Sequence, residues 1–205
     1  AQDTHYWSQS YGPRAMLLGG AVIGSVDDLS GVFYNPGALG YIQAPELLLS
    51  ANVYGFETLT LQDGGGEGID LTSSHFNLLP AMVAGAFRST WLGRNKLAYS
   101  FLTRHRFNSR VQTLSSGSFD VLPDPGVETF AGGLNLEAEA KELWAGVTWA
   151  RSATDRVGFG VTTFLSIRNE SGRNEILAQA LTDSSDISVI YDVNTFRSTV
   201  YSLIW

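Results

Sequence analysis

Few residues in this chain have the type and spacing that chemistry needs. His5, His75 and His105 are scattered and make no metal-ligand spacing. Asp27-Asp28 sets two carboxylates side by side, but adjacent side chains point apart on most backbones. They read as charge at a helix start or as acceptors for backbone amides, not as an acid–base pair. Gly64-Gly65-Gly66-Glu67-Gly68 lacks the Lys-Ser/Thr and the helix of a phosphate loop. Asp63, Glu67 and Asp70 could hold Ca²⁺ in an external loop, with a solvated loop as the favoured reading. There is no nucleophile elbow and no cysteine, so thiol chemistry and disulfides are out. Arg104 and Arg106, with Arg110 nearby, are expected at a strand end. There they could meet a carboxylate or a lipopolysaccharide phosphate, although solvation is favoured. The expectation is a protein that is not an enzyme, with no cofactor and no metal.

The elements that would position these residues follow from composition and period. Of 205 residues, 16% are charged, against about 25% in a usual soluble domain. The chain is 12% aromatic and has 22 glycines. No run reaches the roughly 18 apolar residues of a spanning helix. A net charge of −7 with 13 Lys plus Arg and no basic cluster argues against nucleic acid. These numbers fit an all-β chain, including a transmembrane antiparallel β-barrel whose outer face carries no charge.

Residues 1–45 differ from the rest. Glycines recur every few positions and Pro13, Pro36 and Pro45 interrupt them. Short helical turns are expected at Ala15–Leu18, Ala21–Val26 and Leu29–Tyr34, and a turn at Asn35-Pro36-Gly37. So irregular a segment should be packed inside something larger. Ala1-Gln2-Asp3 reads as the start of a mature exported protein whose signal peptide has been removed.

From residue 46 the period is two. Strands are expected near 47–61, 97–104, 143–150, 157–167 and 196–205, with 76–87 an interrupted strand or a short helix. Val157, Phe159, Val161, Thr163, Leu165 and Ile167 share one face; Gly158, Gly160, Thr162, Phe164 and Ser166 share the other. Short turns are expected at 91–95 and 153–156. Long loops are expected at 62–75, 107–136 and 169–190, the last with a short helix at Glu175–Leu181. Short connections at one end and long ones at the other mark an outer-membrane barrel, and Tyr99, Trp149, Tyr201 and Trp205 suit an aromatic girdle.

Two stretches sharpen this reading. Ser10-Tyr11-Gly12-Pro13-Arg14-Ala15-Met16-Leu17-Leu18-Gly19-Gly20-Ala21 and Val26-Asp27-Asp28-Leu29-Ser30-Gly31-Val32-Phe33-Tyr34-Asn35-Pro36-Gly37-Ala38-Leu39 resemble the N-terminal hatch of the FadL/TodX outer-membrane transporters. That family carries Asn-Pro-Ala where this chain has Asn35-Pro36-Gly37. The resemblance implies a barrel of about fourteen strands, plugged by a hatch over residues 1–45, with residues 46–205 the first part of the wall. It implies a bacterial outer-membrane location and uptake of long-chain fatty acids or other hydrophobic compounds, commonly through a gap in the wall. Phe33, Tyr34, Asn35, Pro36, Gly37 and Leu39 are the expected ligand-facing hatch residues. Asp27 and Asp28 are expected to be structural.

Two rival readings stand beside it. One is a related barrel serving as a partner or scaffold of a secretion or surface complex, like the type IX secretion shuttle, docked through its long loops. The other is a secreted β-sandwich that binds glycans. About six strands cannot close around a plug of some forty residues, since eight leave room only for side chains. The expectation is therefore that the chain is the N-terminal part of a longer protein, or that other chains complete the wall.

Overall fold

The computed structural model describes residues 10–42, 47–62, 70–87, 92–120, 122–123, 126–182 and 186–205. The chain is all-β in its bulk. Six strands, β1 (Leu47–Leu61), β2 (Leu71–Phe87), β3 (Asn95–Phe119), β4 (Glu128–Ser152), β5 (Gly158–Leu181) and β6 (Ile187–Ile204), follow two short helices, α1 (Pro13–Leu17) and α2 (Gly31–Tyr34), and a 3-10 turn at Pro36–Gly40. The strands form one antiparallel sheet in chain order, with β1 and β6 at its two edges. A β-sandwich needs two facing sheets, and the described strands make only one.

The short turns are built as their residues dictate. Gly93 adopts φ +57° and the Asn95 amide donates to the Leu92 carbonyl at 3.0 Å. The Thr154 hydroxyl accepts from the backbone N–H groups of Arg156 and Val157, at 3.2 and 3.0 Å.

Two of the expected loops, 107–136 and 169–190, are mostly strand, and the third, 62–75, is strand over 71–75. β3 and β4 run unbroken in register from Asn95↔Arg151 to Phe119↔Glu128, apart from a bulge between Thr103 and His105. β5 continues through Glu175–Leu181, which is therefore strand and not helix, and pairs with β6 from Ile187 onward. Residues 71–75 belong to β2, and 76–87 is one continuous strand. The physical reason is common to all three. Beyond Leu143 and Ile167 the two faces no longer differ cleanly, with Lys141, Glu139 and Glu137 on one and Glu142, Ala140 and Leu136 on the other. Backbone pairing persists there without the apolar alternation that reveals a strand.

The two faces of the sheet are chemically opposite. One row crosses all six strands as Leu49, Val83, Phe101, Ala145, Leu165 and Leu203. The adjacent row, on the other face, reads Leu48, Ala84, Ser100, Gly146, Phe164 and Ile204. The first face is the exposed one: Leu49 is 66% exposed, Phe101 58%, Val147 61% and Phe159 61%. The second is buried and small or polar: Ser100 and Thr148 are fully buried, as nearly are Thr162 and Ser166.

What covers the second face is the segment 10–42. Tyr11, Leu29, Val32 and Leu39 form a cluster with Met82, Ala84, Ala98, Leu102, Ala150 and Phe164 of the sheet. Polar contacts fix its position. The Tyr11 hydroxyl donates to the Thr103 carbonyl at 3.0 Å, Gly12 N–H to the Ser50 hydroxyl at 3.1 Å, and the Thr162 hydroxyl to the Val32 carbonyl at 2.7 Å. Lys96 donates to the Ile42 carbonyl. The expected turn at Ala21–Val26 contains no helix. The boundary expected at 45/46 lies outside the described residues.

Candidate functional site

The segment and the sheet meet most closely at Asn35–Gly40. Pro36 opens the 3-10 turn, where its missing N–H costs nothing. A Cβ on Gly37 would lie 2.9 Å from the Gly158 carbonyl oxygen, and one on Gly40 would lie 2.9 Å from the Ser152 nitrogen. A Cβ on Gly160 would overlap the Pro36 carbonyl and lie 2.7 Å from the Gly37 nitrogen. Backbone therefore touches backbone, and glycine is needed on both sides.

One turn away, the sheet carries a patch of rings and charges. Phe33 lies edge-on to Tyr11, with ring centroids 4.8 Å apart, and edge-on to Tyr34 at 5.1 Å. It reaches across to Trp144 and Phe164 at 6.3 and 6.5 Å. The Arg104 guanidinium sits over Phe33 and Trp144, 5.4 and 5.5 Å from their centroids, a cation–π geometry. Arg104 follows Ser100 and Leu102 on this face by alternation, and the bulge between Thr103 and His105 reverses the phase beyond it, so that Arg106 points to the other face.

Glu142 is buried beside the rings. It accepts from the Trp144 indole at 2.6 Å and the Ser166 hydroxyl at 2.9 Å, and Arg168 lies 3.9 Å away. Arg168 also pairs with Glu170 at 2.7 Å. Arg104, Glu142, Trp144, Ser166, Arg168 and Ile204 are among the residues that line a cavity of about 350 Å³. Burial pushes the Tyr11 phenol up to about 12, against the lowering effect of Arg104, so it remains a donor throughout the ordinary pH range.

The sheet beside this patch has an opening in its ladder. β2 and β3 pair only from Met82↔Leu102 to Phe87↔Leu97. Above that, β2 stays paired with β1 while β3 stays paired with β4. The seam is bridged higher up, where Arg110 N–H donates to the Ser73 hydroxyl at 3.1 Å. Pro80, with no N–H to give, lies on the β2 side of it.

The expected site residues separate into three groups. Phe33 and Tyr34 join the ring cluster. Asn35, Pro36, Gly37 and Leu39 hold the segment: Asn35 donates to the Ile23 carbonyl at 3.0 Å, and Leu39 is buried. Asp27 and Asp28 do not act together. Asp27 forms an exposed ion pair with Arg14 at 2.7 Å, while Asp28 accepts the Ser30 N–H at 2.8 Å in the turn that precedes α2. Arg104 and Arg106 are not at a strand end but mid-strand in β3. Asp63, Glu67, His5 and Gly64 to Gly68 lie outside the described residues. No group of three or more metal-binding side chains occurs among those described.

Glu142, Trp144, Ser166 and Arg168 were not among the sequence candidates. Their signal was available in the phase of β5: Gly160, Thr162, Phe164, Ser166 and Arg168 continue one face past Ile167. No protein-family model, curated protein or solved structure matches this chain.

Proposed function

We propose that this chain supplies the plug and part of the wall of a bacterial outer-membrane β-barrel of the FadL/TodX kind, which takes up long-chain fatty acids or other hydrophobic compounds. The observation that carries this reading is the inverted sheet. Large apolar side chains face outward while serine, threonine and glycine are buried. Water as the outer solvent would select the reverse. From Phe159 to Ile167 the outward apolar stretch covers about 26 Å of strand, or about 20 Å of membrane depth at a tilt near 40°. That is close to the lipid-facing band of such barrels. Lipid does not tolerate the open edges of β1 and β6, so further strands, from this protein or from another chain, pair there.

In this reading segment 10–42 is the hatch. The rings of Phe33, Trp144 and Phe164 take an apolar chain, and the guanidinium of Arg104 favours an anionic head. The β2–β3 seam is the sideways route from the cavity to lipid. The test is retention of oleate by the detergent-solubilised protein. Phe33→Ala and Arg104→Ala should each weaken it about tenfold, as expected for a buried ring or a charge-assisted hydrogen bond. Retention unchanged in both variants would remove the ligand assignment.

The scaffold reading has one observation in its favour. Beyond the band, exposed Leu114, Leu177, Ile187 and Tyr191 give the long strand extensions an apolar surface. An oleate-free protein that co-purifies with a large outer-membrane complex would favour that reading.

A further inference from the structure

The outward face changes character abruptly above the row Leu143, Ile167 and Tyr201. Two residues further along, the next outward row is Arg106, Lys141, Asn169 and Thr199. Arg106 and Lys141 are direct cross-strand partners. Like charges set opposite each other destabilise a sheet. The Arg106 Nε is also shielded from solvent and finds no hydrogen-bond partner among the described residues. A buried donor left unmet is costly.

The contrast with the rows above is informative. There Arg110 pairs with Glu137 at 2.9 Å, and Arg173 with Glu175 at 3.1 Å. Glu139 sits one row above Lys141 on the same face, yet neither Arg106 nor Lys141 takes part in an ion pair among the described residues. Arg197, in the Glu139 row, is exposed and adds a third cation. Among the described residues, Arg106 and Lys141 thus face each other with no ion-pair partner at the first step above the apolar band. That step is about 6.6 Å along the strand, which is headgroup depth for a lipid whose tails cover the band.

From this geometry we infer that Arg106 and Lys141 form a binding site for the phosphoryl head of a membrane lipid on the outer wall. A phosphate oxygen would accept from the Arg106 guanidinium while the Lys141 ammonium supplies a second charge-assisted bond. The anion relieves the like-charge pair, and the apolar rows beneath take the acyl chains. This inference rests on the outer-membrane reading, and adds to it a lipid class and two residues.

The test takes the whole protein from the outer membrane of an expressing Gram-negative cell into zwitterionic detergent. Purified lipid A is added, and lipid bound per chain is read by native mass spectrometry. The wild type retains lipid A, and the double variant Arg106→Gln, Lys141→Gln retains about tenfold less. Arg156→Gln, in the turn at the opposite end, binds as the wild type does. Lipid A stripped of its phosphates is not retained. In lipid-free detergent the double variant melts no lower than the wild type, because it loses a repulsive pair.

Equal retention by the double variant, or retention of dephosphorylated lipid A, overturns the lipid site and leaves the membrane reading standing. So does displacement of lipid A by millimolar inorganic phosphate, which would assign the residues to a free anion. A double variant that melts lower without lipid removes the like-charge premise and the proposal with it. Wild-type protein that washes off membranes in high salt overturns the membrane reading as well.

Discussion

Replacing Gly160 by alanine should undock the N-terminal segment. The added Cβ would overlap the Pro36 carbonyl and come within 2.7 Å of the Gly37 nitrogen. These are backbone atoms at the start of a 3-10 turn, so no side chain can swing away to make room. Ordinary contact begins near 3.4 Å, and the turn must retreat by most of an ångström. Overpacking of this kind costs about 1–3 kcal/mol, which raises the undocked population about 5- to 150-fold. The absence of native cysteine gives a clean reporter. Ser100→Cys places a thiol at a fully buried position on the covered face. Its rate of modification by a water-soluble maleimide measures how often the segment lifts. Gly160→Ala should raise that rate 5- to 150-fold over Ser100→Cys alone. Gly24→Ala, where nothing lies within 4 Å, should leave it unchanged. A rate within twofold of the parent in the Gly160→Ala protein would mean that the glycine contact does not hold the segment.

Other residues give equally direct outcomes. Tyr11→Phe removes the bond to the Thr103 carbonyl and should cost about 1 kcal/mol of segment docking. The raised phenol also sets a pH dependence. Below pH 10 the phenol is neutral whether docked or not, and its contribution is complete. Between pH 10 and about 12 the undocked phenol ionises first, so docking weakens as pH rises, and the same maleimide rate should climb. Tyr11→Phe should abolish that climb. Thr162→Val leaves the Val32 carbonyl without its 2.7 Å donor and should cost about 1–3 kcal/mol, read as a lower unfolding midpoint. Val147→Arg, in the middle of the outward band and 61% exposed, should cost about 2–4 kcal/mol in membrane and reduce assembly. At a water-facing site the same change would fall within about 0.5 kcal/mol.

The apolar parts of the strands were readable from sequence where the two faces differ; 76–87 of β2, apolar or small on both faces, read equally as an interrupted strand or a short helix. Val157, Phe159 and Val161 against Gly158, Gly160 and Thr162 reveal both the strand and its orientation. The polar halves were not readable. Residues 128–142 and 168–181 mix charged, small and apolar residues on both faces, and their strand state comes from pairing with neighbouring strands. Period analysis sees no such pairing. The same blind spot hid Glu142 and Arg168, which belong to the covered face only once β4 and β5 are known to continue. The short helices at Pro13–Leu17 and Gly31–Tyr34 were legible from their glycine and proline limits. The Gly37–Gly158 contact was not, since two glycines more than a hundred positions apart leave no joint signal in one sequence.

The claim beneath all of this is that the exposed apolar face meets lipid. Extraction of native membranes tests it most directly. Membranes containing the protein are washed with high salt and then with alkaline carbonate, and afterwards treated with detergent. The protein is expected to stay with the membrane through both washes and to be released only by detergent. Release by salt alone would contradict it.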